Sequence, residues 1–252
     1  MHWRVEFHHE IKALEYPSIM PKLSVVIPCY NEIRTIETIL LAIRSLNLGF
    51  EIEIIVVDDC STDGTYELLA KDLKCVITTL LRHSKNLGKG AALKSGFKKV
   101  TGEFIIIQDA DLEYDPSDYS KLLTPLLEGK ADVVVGSRFL GEGPRRVHYF
   151  WHKFGNVILT NLSNALSNLA LSDMECCYKA FTRQVLDSLV ITESRFAVEP
   201  QIIAQIARMD LRIYEVGVSY FGRTYADGKK ITWKDGVAAI FAIFRYNLRR
   251  GQ

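Results

Sequence analysis

The sequence predicts an α/β fold, a Rossmann-like, mostly parallel sheet with helices on both faces. Two patterns carry this. Short β-branched runs alternate four times with longer segments of helical apolar spacing. The runs are apolar nearly throughout, as in strands covered on both sides, and do not alternate with polar residues. In open sheets of this kind ligands bind beyond the carboxyl ends of the strands. The polar clusters that follow the runs are therefore the places to look for chemistry.

The chain has 252 residues, 48% hydrophobic and 24% charged, an ordinary globular balance. A net charge of +1 gives no field that would attract nucleic acid. The five cysteines, Cys29, Cys60, Cys75, Cys176 and Cys177, are odd in number and lack zinc-site spacing, which fits a reducing cytosolic setting. No apolar run approaches the roughly 18 residues of a membrane span. The start of the chain, with His8-His9-Glu10, does not read as a signal peptide. Residues 1–20 read as an extension closed by Pro17 and Pro21.

Leu23 to Ile27 is the first predicted strand, ended by Pro28, with Cys29-Tyr30-Asn31-Glu32 at its carboxyl edge. Ile36, Ile39, Leu40, Ile43 and Leu46 then mark a helix, with Thr35 as its expected cap. Ile52 to Val57 is a second strand, followed by Asp58-Asp59-Cys60-Ser61-Thr62-Asp63-Gly64-Thr65. A carboxylate here suits a ribose or base edge, and one of Ser61, Thr62 or Asp63 is expected to cap the next helix. Val76 to Leu81 is a third strand, running into Asn86-Leu87-Gly88-Lys89-Gly90. Glycines and a lysine before a helix suit an anionic phosphate. The loop is neither a P-loop, since Gly90 follows Lys89, nor a dinucleotide fingerprint, since Leu93 stands at the last glycine position.

The fourth run, Phe104 to Ile107, ends in Gln108-Asp109-Ala110-Asp111-Leu112-Glu113. Side chains alternate along a strand, so Asp109 and Asp111 can point the same way. Two adjacent carboxylates repel unless a cation lies between them, and hard oxygens suit Mg²⁺ or Mn²⁺. A helix with Leu122, Leu123, Leu126 and Leu127 follows, then a strand from Asp132 to Val135 ending in Gly136-Ser137-Arg138.

The second half differs. From Val147 an apolar stripe through Phe150, Trp151, Phe154, Ile158 and Leu162 runs to Leu169 behind a basic start of Arg145 and Arg146. Such a helix either faces the core or lies on a membrane surface. His148 and His152 lack the glutamate of a zinc-protease helix and read as polar-face residues. Cys176 and Cys177 read as small buried side chains. Arg195 to Pro200 leads a helix with Ile202, Ile203 and Ile206, and Ile213 to Tyr220 is a late strand. Four loop cations, Arg138, Arg223, Lys229 and Lys230, favour an anionic ligand. The tail from Trp233 is amphipathic and suits docking on the fold, a dimer contact or anionic lipid.

With these segments in place the chain resembles the family 2 glycosyltransferases of the GT-A fold, from about Leu23 to Lys230. It is most similar to polyprenyl-phosphate sugar synthases of the dolichyl-phosphate mannose and glucose synthase type. Pro28 to Glu32, Val57 to Thr65, Asn86 to Gly90 and Asp109-Ala110-Asp111 match four motifs in order. The resemblance implies that Pro28, Tyr30, Glu32 and Asp58 hold base and ribose, with Lys89 near the nucleotide. Asp109, Asp111 and Glu113 would bind Mg²⁺ or Mn²⁺ and the donor diphosphate, although Glu113 stands where glutamine is common. Arg138, Arg223 and Lys229 would hold acceptor phosphate or donor diphosphate, helped by Arg145 or Arg146. The implied layout is a single domain over 21–232, with a nucleotide-binding half at about 21–135 and an acceptor half at about 136–232. An amphipathic helix over 233–252 follows.

The implied activity is inverting transfer of a hexose from a nucleotide sugar, of UDP-glucose or GDP-mannose type, to a polyprenyl or dolichyl phosphate. The acceptor phosphate is already ionised near neutral pH, so cations that position it matter more than a base. A cytoplasmic protein in peripheral contact with the membrane is expected. The alternative is transfer to a carbohydrate hydroxyl, which needs a carboxylate base, with Glu199 the candidate. A nucleotidyltransferase and a non-catalytic membrane-surface module are the other readings. They are distinguished by pyrophosphate release and by the absence of donor turnover.

Overall fold

In the computed structural model, which describes residues 20–141, 149–223, 230 and 233–248, the alternating segments form a seven-stranded sheet. In chain order the first half comprises β1 (Lys22–Cys29), α1 (Ile36–Ser45), β2 (Glu51–Asp58), α2 (Thr65–Lys71), β3 (Thr79–Arg82), α3 (Lys89–Phe97) and β4 (Phe104–Ile107). The second half comprises α4 (Tyr119–Leu127), β5 (Val133–Ser137), α5 (Phe150–Ser167), β6 (Lys179–Thr182), α6 (Arg183–Ser188), α7 (Val198–Ile206), β7 (Ile213–Gly217) and α8 (Trp233–Leu248).

The strand order is β3-β2-β1-β4-β6-β5-β7. Strands β1, β2, β3 and β4 run parallel, as do β5 and β7, while β6 is antiparallel to both its neighbours. Consecutive residues from Leu23 to Ile27 are buried, so helices or loops cover both faces of the sheet there. Helix α1 buries Ile36, Ile39, Leu40 and Ile43, the spacing of one helical stripe. Helix α3 sits close on β1 and β2 because Gly96 has no side chain. A Cβ there would meet Val26 Cγ1 at 2.5 Å.

Several boundaries differ from the sequence expectation. Strand β1 continues through Pro28 to Cys29. Its pairing with β4 stops at Val26, so the missing Pro28 N–H leaves no broken ladder bond on that side. Val76 closes a short 3₁₀ turn, and β3 begins only at Thr79. Helix α5 begins at Phe150, and β7 ends at Gly217, short of Tyr220. Thr35 makes no capping bond. Its hydroxyl instead bonds Glu32 Oε2 at 2.8 Å and the Ala110 carbonyl at 2.9 Å, joining the loops after β1 and β4. None of Ser61, Thr62 and Asp63 stands at the cap of α2: that position is Gly64, at a positive φ of 93° and without a side-chain capping bond, while Asp63 accepts from Thr65 N at 3.0 Å. Strand β6 has no counterpart in the predicted elements. It is four residues long and carries the fully buried Lys179, so it does not read as an apolar run.

Strands β1 and β4 lie side by side at the point where the strand order reverses. The loops after them open a crevice there.

Candidate active site

The crevice holds a cavity of about 510 Å³. One wall comes from β1 and its following loop, through Pro28, Tyr30 and Glu32. Its floor carries Lys89, Asp109 and Asp111. The opposite wall adds Glu113, Arg138 and Arg223. Of the predicted site residues, Asp58 is fully buried beneath the cavity and outside its lining, and Lys229 lies outside the described residues. Arg145, Arg146 and His148 also lie outside them.

The loop after β1 is fixed by β2's. Asn31 takes a positive φ of 50°, its N–H donates to Ser61 Oγ at 2.9 Å, and its side chain accepts from Thr62 N at 2.8 Å. Glu32 N donates to Thr65 Oγ1 at 3.0 Å. Asp58 accepts from Ser61 N at 3.2 Å and faces Arg82 at 3.5 Å, while its Oδ1 is buried without a hydrogen-bond partner. Asp59 grips the glycine loop. It accepts from Leu87 N at 2.9 Å and Gly88 N at 2.6 Å, and bonds His83 Nδ1 at 2.6 Å. His83 Nε2 in turn meets Ser95 Oγ at 2.9 Å. The glycines themselves serve packing. A side chain at Gly88 or Gly90 would collide with the backbone of Ser194 or Glu193, and Ala91 N bonds Ser194 O at 3.0 Å. This close approach delivers Lys89 to the cavity floor.

Lys89 Nζ lies 2.9 Å from Asp109 Oδ1 and 2.9 Å from Glu199 Oε1. Glu199 also takes Lys179 Nζ at 2.5 Å. Burial works against charge on Lys89, but Asp109 foremost outweighs it and holds the ammonium well above its ordinary value. Burial likewise disfavours the Asp109 carboxylate, and Lys89 more than offsets it, lowering that carboxyl. Asp111 goes the other way. Burial, with Asp109 and Glu113 alongside, pushes it up to about 7 despite Arg223. Gln108 stays buried beneath the pair, accepting from Tyr119 Oη at 2.8 Å and Tyr178 Oη at 2.7 Å.

Arg223 closes the site. It donates to Glu32 Oε1 at 3.1 Å and to Asp111 Oδ2 at 2.5 Å, and its backbone N–H to Glu113 Oε1 at 2.7 Å. Lys230 reaches Glu32 Oε1 at 2.6 Å and the Tyr30 carbonyl. Arg138 is clamped bidentately by the fully buried Asp173, both contacts at 2.7 Å. Glu113 also accepts from Tyr220 Oη at 3.0 Å.

The expected ligand trio of Asp109, Asp111 and Glu113 is not assembled. Among the described residues no three acids, histidines or cysteines converge as metal ligands. Each carboxylate is turned to a different partner, Asp109 to Lys89, Asp111 to Arg223, and Glu113 to Tyr220 and the Arg223 N–H. The donor chemistry still suits a hard divalent cation. Asp109 and Asp111 both line the cavity, and carboxylate oxygens are hard donors.

Sequence reasoning missed Asp173 as the Arg138 anchor, the buried Lys179, the Asp59–His83 brace and Glu175. Asp59 stands inside the Val57 to Thr65 motif, but its bracing role depends on His83, which only the fold brings to it. Asp173, Glu175 and Lys179 lie in no segment with a recognisable periodicity. Cys176 and Cys177 are buried as expected, and burial foremost pushes the Cys176 thiol up to about 12.

A family model described as glycosyl transferase family 2 matches residues 24–190. Undecaprenyl-phosphate 4-deoxy-4-formamido-L-arabinose transferase of Klebsiella pneumoniae subsp. pneumoniae is 30% identical over 222 residues, 86% of this chain and 64% of that protein. The low-salt glycan biosynthesis hexosyltransferase Agl6 of Haloferax volcanii is 30% identical over 226 residues, 86% of this chain and 53% of that one. The chain thus spans less than two thirds of the length of these curated relatives. Glucosyl-3-phosphoglycerate synthase from Mycobacterium tuberculosis, solved with UDP, superposes with a TM-score of 0.70 at 22% identity, covering 92% of this chain and 82% of that one. The same enzyme solved with Mn²⁺, UDP and glucosyl-3-phosphoglycerate gives 0.68, with the same coverage. That likeness establishes a GT-A glycosyltransferase fold.

Proposed function

Because the chain belongs to glycosyl transferase family 2, we propose that it moves a hexose from a nucleotide sugar to a polyprenyl phosphate, with inversion at the anomeric carbon. The observation that carries this is the convergence of Asp109 and Asp111 with Lys89, Arg138 and Arg223 in one cavity at the strand carboxyl ends. The half at about 21–135 binds the nucleotide, with Tyr30 and Glu32 beside base and ribose. Asp58 shapes that wall from beneath by holding the Ser61 N–H. The half at about 136–232 takes the acceptor, and residues 233–252 form the amphipathic tail.

Asp109 and Asp111 would hold a divalent cation, Mg²⁺ or Mn²⁺, with Glu113 the third candidate ligand; the ion would supply charge for the departing diphosphate. The protein's own part is positioning and charge. Arg223, now spread over Glu32 and Asp111, is released for phosphate oxygens once those acids have another partner. Arg138 is held rigidly by Asp173 and presents its remaining N–H edge to the acceptor. Lys229 belongs to the same cationic set. An ionised acceptor oxygen attacks the anomeric carbon, and the nucleoside diphosphate leaves on the opposite face. No base is required. Glu199 is poorly suited to be one, since Lys89 and Lys179 occupy its two oxygens. This favours a phosphate acceptor over a sugar hydroxyl.

The acceptor is membrane-borne in this reading, and the protein meets the cytoplasmic membrane face peripherally. Helices α5 and α8 pack together and leave Trp151 74%, Trp233 76% and Phe241 70% exposed. No described helix is long and apolar enough to cross a bilayer. The test is an acceptor comparison with nucleoside diphosphate release as readout. Release that depends on a polyprenyl phosphate supports the proposal. Release with sugar acceptors alone moves the reaction to a hydroxyl, and pyrophosphate release makes it a nucleotidyltransfer.

A further inference from the structure

Glu175 sits in the wall of the cavity, on the loop between Asp173, which anchors Arg138, and Lys179, which anchors Glu199. Its Oε1 is buried and has no hydrogen-bond partner. Its charged neighbours are already committed. Asp173 is spent on Arg138. Lys179 donates to the carbonyls of Met174 and Cys176 and to Glu199. Glu199 is shared between Lys179 and Lys89. An acid left over in this way is costly unless a ligand completes it.

We infer that Glu175 reads the transferred sugar, taking up one of its ring hydroxyls in the cavity and so setting which hexose is accepted. The inference rests on the glycosyltransferase reading and names the group that gives it sugar selectivity. Phosphate fits this oxygen poorly, because its negative charge would add to that of Glu199 and Asp173 beside it. A prenyl chain would leave the oxygen unsatisfied. A hydroxyl is neutral and both donates and accepts. Burial, then the nearby Glu199, raises the Glu175 carboxyl to about 7. Near neutral pH it is therefore partly protonated and matches a hydroxyl in both roles. The position agrees. Asp109, Lys89, Glu199 and Lys179 form a chain of alternating charge leading from the diphosphate end, and Glu175 lies beside its far members. The hexose hangs from the diphosphate and must occupy the space between that end and Arg138.

The test uses the full chain with Mn²⁺, a polyprenyl phosphate and UDP-glucose, UDP-galactose and GDP-mannose. It then takes singly deoxygenated forms of whichever sugar is best. The wild type should lose about ten- to hundredfold in kcat/KM with one deoxy form. Glu175→Ala should lose a similar factor with the parent sugar and show no further loss with that same deoxy form. Its inhibition by the bare nucleoside diphosphate should match wild type, which shows that the site still folds. Glu175→Gln, which keeps a donor and an acceptor at the same reach, should retain the discrimination that Glu175→Ala loses. Equal deoxy penalties in wild type and Glu175→Ala would overturn the inference while leaving the glycosyltransferase reading intact. Loss of nucleoside diphosphate inhibition in both variants would also overturn it, by assigning Glu175 a structural role. No turnover of any donor by wild type would overturn the reading and the inference together.

Discussion

A single side chain, Arg223, touches acids from two separate loops, Glu32 after β1 and Asp111 after β4. Only a planar fork spans both at once, so Arg223→Lys is not a mild change. Replacement by lysine should cut transfer at least tenfold and replacement by methionine about a hundredfold or more. Near-normal turnover in either variant, measured under saturating donor, would contradict the role given to this residue. Glu175 gives a stability prediction of its own. Its carboxyl moves from an ordinary 4.5 to about 7, with burial and Glu199 opposing charge and Lys179 and Arg138 favouring it. The folded state therefore keeps a proton that the unfolded chain has released. The stabilisation is fully present below pH 4.5 and is lost as pH rises through 7. Glu175→Gln should gain on wild type by on the order of 3 kcal/mol between pH 4.5 and pH 8 in chemical denaturation. A pH-independent difference would show that the carboxyl is not held protonated. The acids and cations of this site were readable from the sequence because they stand at strand ends in recognisable order. Glu175, Asp173 and Lys179 were not, because their importance depends on which partners the fold leaves to them.

At the scale of elements, the paired helices α5 and α8 are the least settled by periodicity alone. Their stripes suit a core-facing helix and a membrane-facing one equally well. The structure separates the two cases along each helix. Thr160 and Ser163 of α5 and Asp235, Ala239, Ala242 and Ile243 of α8 are the buried positions. The large aromatics are left outside, with Phe150 stacked on Phe154 at 6.0 Å. Exposed aromatics gathered on one helix pair mark a contact site. The double variant Trp151→Gln with Phe241→Gln should lose cosedimentation with anionic liposomes while its melting temperature stays within a few degrees of wild type. Liposome binding at the wild-type level would remove the membrane role from this face. Strands β1, β2 and β4 were legible because each is a buried apolar run. Strand β6 was not, since a central antiparallel strand of four residues with a buried lysine is made by its neighbours and not by its own pattern.

Across the whole molecule, a parallel half that presents carboxylates meets a mixed half that supplies cations, at the point where strand order reverses. The alternation of apolar runs with helical stripes pointed to the fold class, and the order of the motifs to the family. The way each acid is matched to a cation became visible only in three dimensions, because Arg223 stands 112 residues from Asp111 and Arg138 stands 35 from Asp173. The central claim is that this junction transfers a hexose to a lipid phosphate. The most direct measurement is the intact mass of a short polyprenyl phosphate after incubation with the protein, Mn²⁺ and a panel of nucleotide sugars. Asp111→Ala serves as the control. A product heavier by one hexosyl group, absent with Asp111→Ala, is the predicted result. An unchanged lipid mass with every donor, from a folded protein that binds nucleotide, would contradict the account.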